Sequence, residues 1–307
     1  MLDTSKNTVE HRIFKDITEY MNPGDLLVLN DTRVIPARIR TAINGAKSEI
    51  LLLRPTMDTN IWQALVKSKK LQTGTQVEVY GGTIEIIGEP SDGVRLVELK
   101  PPTGKTVYEW IDEIGEMPLP PYIKNSTAPS DSYQTIFAQI PGSAAAPTAS
   151  LHFTNELLDK IKMLGIHIAY VTLHVGLGTF RPVRCEDIRK HVMHRELCTI
   201  PNETAQAILD CKSKGKRVIA GGTTVIRTIE SFGVGGYGIK DTDLFITPGY
   251  KFKVADALIT NFHTPKSSLL MLVSAFIGDH DLLANTYKEA IRMEYRFFSF
   301  GDAMFIK

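Results

Sequence analysis

Cysteine is scarce in this chain. Cys185, Cys198 and Cys211 are the only three, an odd number with no CxxC spacing. That argues against a disulfide framework and a cysteine-built zinc site, and fits a reduced cytoplasm. Long apolar runs are lacking as well: Leu269–Ile277 is the longest, far short of the roughly 20 residues a membrane span needs. The sequence reads without a signal peptide, since Met1 is followed by the polar stretch Asp3–Asn7. There is little excess charge. Lys and Arg number 35 against 34 Asp and Glu, for a formal net charge of +1. This excludes a uniformly basic nucleic-acid coat but leaves room for a local basic face. No GxxxxGK[ST], GxSxG or HExxH occurs, so NTPase, α/β-hydrolase and zincin readings have no motif behind them. No Gly-rich loop follows a first strand with an acidic residue after the second, as a conventional methyltransferase would require.

What is present is ordinary for a globular protein: 43% hydrophobic and 22% charged residues over 307 positions, enough for a large core in one to three domains. Arg12–Tyr20 reads as a short helix stopped by Asn22-Pro23-Gly24, and Leu26–Leu29 as a buried strand. From Ala37 to Leu99 six short segments alternate apolar and polar residues: Ala37–Ile43, Glu49–Leu53, Trp62–Val66, Gln76–Val79, Thr83–Ile87 and Val94–Leu99. That texture predicts an antiparallel barrel or sandwich. Val107–Ile114 reads as a helix, and Glu116–Lys124 as a Pro-rich linker.

Beyond Thr154, helix and strand signals alternate. Helices are expected at Thr154–Leu164 (N-cap Thr154, stop at Gly165), Glu203–Lys214, Thr224–Phe232, Pro265–Ile277 and Leu282–Arg292. Strands are expected at Ile166–His174, Arg217–Ala220, Leu244–Ile246 and Ala257–Thr260. "SFGVGGYG" (Ser231–Gly238) follows a helix, so it reads as a loop and not a dinucleotide fingerprint. The expected fold is α/β: a mainly parallel sheet or barrel-like domain from residues 1–36 and 117–307, with an antiparallel β-barrel, residues 37–116, inserted.

Chemistry concentrates where strands run into small polar residues, the place where α/β folds build sites. "GDLLVLNDTRVIPAR" (Gly24–Arg38) releases Asn30, Asp31, Thr32 and Arg33 together. Asp31 could accept a proton; Arg33 and Arg38 could grip a carboxylate or phosphate. An Asp/Asn turn with a surface ion pair is the plainer reading. "VTLHVGLGTFRPV" (Val171–Val183) offers His174 before Gly176 and Gly178, with Arg181 beyond; a lone His of this kind is commonly a satisfied core residue. "RVIAGGTTVIRTIES" (Arg217–Ser231) opens a helix at Thr223 and Thr224 with Arg227 one turn in, suited to an anion, although plain N-capping is more common. "ITNFHTPKSSLLMLVSAF" (Ile259–Phe276) gathers Asn261, His263 and Lys266, the last of which could equally be a solvated surface charge.

His152 stands beside the small-residue stretch Pro141–Thr154, and "MHRE" sets His194 two residues from Glu196, a spacing fit for acid–base work or for a surface pair. His191 and His194 would share a helix face but lack an obvious third ligand, so no metal is expected. Basic clusters occur at Lys67–Lys70, at Cys211–Arg217 and around Arg181–Arg195. Such runs are usually solvated faces, and they are also what a tRNA binder of near-neutral net charge needs.

Together "GDLLVLNDTRVIPAR", "MPLPPYI", "YQTIFA", "GSAAAPTA", "LHFT", "TLHVGLGTFRPV", "MHRE", "GTT" with Arg227, "TPGYKFKVADALITNFHTPKSSLLMLVSAF" and "YRFFSFGDAMFI" resemble the S-adenosylmethionine:tRNA ribosyltransferase-isomerases of queuosine synthesis. The matches keep their order from Gly24 to the C-terminus. The resemblance implies an α/β domain with a β-barrel insert, in a cytoplasmic monomer. It also implies S-adenosylmethionine as co-substrate and ribosyl donor. The acceptor would be tRNA bearing 7-aminomethyl-7-deazaguanine at the wobble position, with epoxyqueuosine, adenine and methionine as products. On that reading Asp31, His174, His194 and Glu196 are the acid–base candidates. Arg33, Arg38, His152, Arg181, Thr223, Thr224, Arg227, Asn261, His263 and Lys266 are the substrate-binding candidates. A catalytically inactive tRNA-binding homologue is the alternative, and a metal-dependent hydrolase a weaker one.

Family members begin with a further segment containing an Arg/Ser-Arg-Leu stretch, and this chain starts at a point just after it. Ser150 stands where Gly is expected, with strain if that backbone needs positive φ. Arg195 replaces a small residue, where it could act on its neighbours or reach a phosphate, and Thr264 replaces Leu.

Overall fold

The computed structural model describes residues 1–43, 46–67, 71–91, 93–119, 130–176, 193 and 195–307. The chain opens with two short strands, β1 (Leu2–Asp3) and β2 (Thr8–Val9), a 3-10 turn over Phe14–Tyr20, then β3 (Leu26–Asn30) and β4 (Thr32–Val34). β5 (Arg38–Ile43), β6 (Ala46–Pro55), β7 (Ile61–Lys67), β8 (Gln76–Val79), β9 (Gly82–Ile86) and β10 (Val94–Lys100) follow, with helix α1 (Val107–Ile114) after them. The second half runs β11 (Ile140–Ser143), α2 (Asn155–Met163), β12 (His167–Leu173), β13 (Glu196–Ile200), α3 (Asn202–Ser213), β14 (Val218–Gly221), α4 (Thr223–Phe232), β15 (Gly238–Thr242), β16 (Ala257–Asn261), α5 (Ser268–Ile277), α6 (His280–Arg292) and β17 (Ala303–Ile306).

Nine strands form one mixed sheet in the order β15-β13-β12-β3-β14-β16-β17-β1-β2. Its centre, β12, β3, β14 and β16, is parallel, as the alternation of helix and strand signals anticipates. The flanks are antiparallel: β13 and β15 on one side, β17 on the other. β3, β14 and β16 are buried at every residue, because helices or loops cover both faces, and they therefore read as continuous apolar runs. The six expected strands of the insert make a second sheet, β5-β6-β7-β10-β9-β8, antiparallel throughout and curled into a nearly closed barrel. β7 shows the alternating burial of a wall with one wet face.

Helix α1 packs into the barrel. A Thr106/Glu109 capping box starts it, and Val107, Trp110, Ile111 and Ile114 form its buried stripe. Each such side chain contributes roughly 1.5–3 kcal/mol on burial. Gly82 is required opposite Trp110, since a Cβ there would lie 2.5 Å from Cζ2. The chain leaves the large sheet through β4 and returns through β11, and these two strands pair in parallel, Thr32 opposite Ile140.

Three expected elements differ. The Arg12–Tyr20 helix is a 3-10 turn from Phe14. The helix expected from Pro265 begins at Ser268, because Lys266 adopts φ 59° and the Ser267 hydroxyl caps the N–H of Leu270. Leu244–Ile246 is no strand: the N–H of Leu244 bonds the Thr242 hydroxyl and its carbonyl accepts from Arg227, so side chains occupy the groups a ladder would use. β15, in contrast, emerges where the sequence suggests only a loop, with Gly238 at φ 106° beginning an edge strand.

Candidate active site

The registers of the parallel strands bring four chain ends to one rim. Val171 lies opposite Asn30, Ala220 opposite Val28 and Gly221 opposite Ile259. Asn30, Leu173–His174, Gly221–Gly222 and Asn261 therefore finish at the same edge, the carboxyl edge where α/β sheets place their ligands.

Asn30 ties this rim together. Fully buried, it donates through Nδ2 to the Leu173 carbonyl (3.1 Å) and to Thr224 Oγ1 (3.3 Å), and its Oδ1 accepts from the N–H groups of Thr32 and Leu173, each at 3.1 Å. One amide thus fixes β3 and β12 against the first turn of α4.

The next two residues of that stretch meet titratable or hydroxyl side chains from β12 and its end. Asp31 Oδ1 accepts from Thr172 Oγ1 at 2.7 Å, yet burial raises its carboxyl above the usual 3.8. Thr32 Oγ1 meets His174 Nδ1 at 2.8 Å. His174 is 6% exposed, and burial first, the Arg54 charge second, lowers its pKa to about 4. The imidazole is therefore neutral near neutrality. Gly142 forms its other wall: a Cβ there would be 2.9 Å from His174 Cε1. Arg54 belongs to the barrel strand β6 and pairs with Asp241 of β15 (2.5 Å from NH1 to Oδ1), linking the two sheets beside the rim.

Glu196 opens β13 at the same edge. Its Oε1 accepts from the Gly176 N–H at 3.1 Å and its Oε2 pairs with NH1 of Arg227, both side chains being 3% exposed. Arg227 Nε donates to the Leu244 carbonyl at 3.2 Å, while NH2 is buried without a hydrogen-bond partner. Thr223 and Thr224 are buried at the start of α4, whose N-cap, Gly222, provides no side-chain cap.

The other expected residues scatter. Asn261 reaches the rim, accepting from Thr148 Oγ1 at 2.9 Å, with Nδ2 lacking a partner. Ser150, expected to be strained, sits in a 3-10 turn outside the positive-φ residues and donates to the Gly221 carbonyl at 3.0 Å. His263 is bonded to Thr260 Oγ1 (2.9 Å) and its N–H to Tyr287 (3.2 Å), not to the His174 group; burial lowers its pKa to about 4. Arg33 and Lys266 are exposed. Arg38 lies on the barrel, its Nε 4.0 Å from Glu49. Arg195 is exposed and points to Asp243 (3.6 Å), away from Glu196's buried pair.

His152 is in a different place from the rim. It stacks on Phe14 (centroids 4.8 Å apart) and lines a cavity of about 450 Å³ with Tyr20, Tyr295 and Asp302, which Asp31, His174, Thr224 and Arg227 do not touch. Arg181, His191 and His194 lie outside the described residues. The Cys211–Arg217 run precedes β14, at the opposite end of the strands from the rim, and two of its charges are engaged, Lys212 with Asp256 and Arg217 with Asp25. Among the described residues no cluster of three His, Cys, Asp or Glu is placed to hold a metal, and no helix is long and apolar enough to cross a membrane.

Thr172, Gly142 and Arg54 escaped the sequence reading. Thr172 is detectable in principle, two positions before His174 on an extended strand and so on the same face. Arg54 comes from a strand whose local pattern says only "barrel wall".

Comparison with known proteins agrees over the whole chain. Residues 1–306 match the queuosine biosynthesis protein family. An S-adenosylmethionine:tRNA ribosyltransferase-isomerase of Clostridioides difficile is 50% identical, covering 100% of this chain and 92% of that protein. Proteins of the same name from Sulfurihydrogenibium and Staphylococcus haemolyticus are 47% and 48% identical, each covering 100% of this chain and 91% of their own. The crystal structure of an S-adenosylmethionine tRNA ribosyltransferase from Thermotoga maritima superposes with a TM-score of 0.54 at 36% identity, covering 100% of this chain and 90% of that one. With motifs, architecture and full-length identity in accord, this chain belongs to the queuosine biosynthesis protein family.

Proposed function

We propose that the chain is an S-adenosylmethionine:tRNA ribosyltransferase-isomerase. It moves the ribosyl group of S-adenosylmethionine to 7-aminomethyl-7-deazaguanine at the tRNA wobble position and isomerises it, giving epoxyqueuosine, adenine and methionine. About 50% identity over the full chain to proteins of that name carries the reading. On this reading the chain acts as a monomer in the cytoplasm without a metal, residues 1–36 and 117–307 forming the catalytic domain and 37–116 the inserted barrel.

The rim has groups suited to this chemistry. The sulfonium acidifies the neighbouring ribose protons, so a base must take one; adenine departs more readily if its ring is protonated; the acceptor amine must be neutral to attack. His174, kept neutral by burial, and Asp31, whose carboxyl burial raises, are the rim's titratable groups for these proton transfers. These two keep the acid–base role. Thr223, Thr224, Arg227, Arg33 and Lys266 are left to bind the methionine carboxylate or tRNA phosphates.

The test is adenine release from S-adenosylmethionine in the presence of tRNA carrying 7-aminomethyl-7-deazaguanine, with the nucleoside followed by mass. Adenine together with a heavier wobble nucleoside is the expected result. Intact tRNA binding without either product would favour the inactive homologue.

A further inference from the structure

We propose that Arg227 reads the α-carboxylate of the ribosyl donor and that Glu196 is a positioning residue that holds its guanidinium, an assignment resting on the function proposed above. Arg227 is 3% exposed, and two of its three nitrogens are fixed: Nε on the Leu244 carbonyl, NH1 on Glu196 Oε2. The third, NH2, is buried with no acceptor. A charged donor left unpaired in the interior is costly, and native proteins seldom retain one without a use. Here the use is a ligand oxygen.

The surroundings suit an anion, and the ribosyl donor carries one, its α-carboxylate. Helical side chains lean toward the N-terminus of their helix, and Arg227 shares a face with Thr223 and Thr224, four and three positions earlier. That end of α4 starts at Gly222 without a side-chain cap, and the first-turn N–H groups of a helix favour anions. Attraction comes from the free NH2 donor and the helix terminus. NH2 and the first-turn N–H groups can each take one oxygen of a two-oxygen anion, which the ribosyl donor supplies as its α-carboxylate.

Glu196 has both oxygens engaged, on the Gly176 N–H and on Arg227. Its part is to set the guanidinium angle, with no contact of its own to the reacting atoms. Gly176 follows β12 and Glu196 opens β13, so this bond also ties the carboxyl end of one strand to the start of the other.

Two nucleosides separate the possibilities. S-adenosylhomocysteine carries the amino-acid carboxylate and 5′-methylthioadenosine lacks it. Dissociation constants for both are measured with tRNA present. The wild-type protein should prefer the former by roughly 10- to 100-fold, as expected for one charge-assisted bond to a buried partner. Arg227→Met should bring the two affinities within about 3-fold of each other while methylthioadenosine binding is kept. Arg227→Lys, which preserves charge and much of the packing, provides the same readout should the Met variant fold poorly. Glu196→Ala should weaken S-adenosylhomocysteine alone, and Glu196→Gln, which still offers an acceptor, should restore it. Equal wild-type affinities, or a preference that survives both Arg227 variants, would overturn the proposal and leave the enzyme reading standing. A wild-type protein that binds neither nucleoside would bring down that reading as well.

Discussion

The Cα of Gly142 faces the ring of His174 so closely that a methyl group built there would stand 2.9 Å from Cε1, 3.0 Å from Nε2 and 3.1 Å from Nδ1. The imidazole cannot swing aside freely, because Thr32 holds Nδ1 from the other side. Gly142→Ala should therefore displace the ring, and its φ of 143° adds backbone strain. Turnover should fall roughly 10- to 100-fold, with a stability loss of about 1–2 kcal/mol. If the effect passes through His174, Gly142→Ala should cost almost no further activity in a His174→Ala background. Additive losses in kcat would refute the link.

Asn30 is expected to matter for folding more than for chemistry. Asn30→Ala leaves the N–H groups of Thr32 and Leu173 without the Oδ1 they bond. Unfolding free energy should drop by about 2–4 kcal/mol, read as a lower denaturation midpoint at unchanged m-value. A variant with the parental midpoint would show that water or backbone rearrangement replaces the amide.

Acid should weaken the fold before carboxylates titrate in bulk. His174 has a folded pKa of about 4 against an ordinary 6.5, so between those values the unfolded chain binds the extra proton and stability declines as pH falls. The full effect for His174 is on the order of 3 kcal/mol. His263, also near 4, acts in the same direction. Asp31 opposes them: raised above 3.8, its contribution is present below that value and is lost as pH rises through the folded pKa. Melting temperature compared at about pH 7 and about pH 5 should show the decline, and His174→Gln should flatten it. An equal slope in the variant would remove His174 from the account.

Lys266 occupies the left-handed region at φ 59° while exposed just before the N-cap of α5. Glycine takes that conformation without penalty, so Lys266→Gly should stabilise the protein by roughly 0.5–1 kcal/mol. If the ammonium meets substrate phosphate, the same change should raise KM for tRNA and steepen less with salt. A gain in stability with unaltered KM would leave Lys266 as a strained surface residue only.

Much of the fold was legible because the two sheets obey different periods. In the barrel, Ile61–Lys67 alternates visibly, since one side faces water. In the large sheet, Leu26–Asn30 is apolar throughout because both faces are covered. What escaped was short or non-local. β1, β2, β4 and β17 have two to four residues, too few for a period, and β15 starts at a glycine and carries Lys240 and Asp241 along an edge. The site was legible as a set of strand ends, since Asn30–Arg33, His174 and Thr223–Thr224 each follow an apolar run. Its internal pairing was not. Nothing near Glu196 in sequence announces Arg227, and nothing near His152 announces that its ring turns to Phe14. Those choices are made by packing between segments far apart in the chain.

The barrel is tethered to the large sheet by two cords of chain, and both run past the same imidazole. β4 supplies Thr32 to its Nδ1; β11 supplies Gly142 to its ring face; and Ser143, next along, takes the N–H of Val175 at 2.9 Å. Mechanically, His174 stands at the fulcrum. A tilt of the barrel about the pairing of β4 with β11 would strain the Arg54–Asp241 link as well as the cage of the His174 ring. Extra residues spliced into either cord would slacken the ring's cage before either sheet came apart.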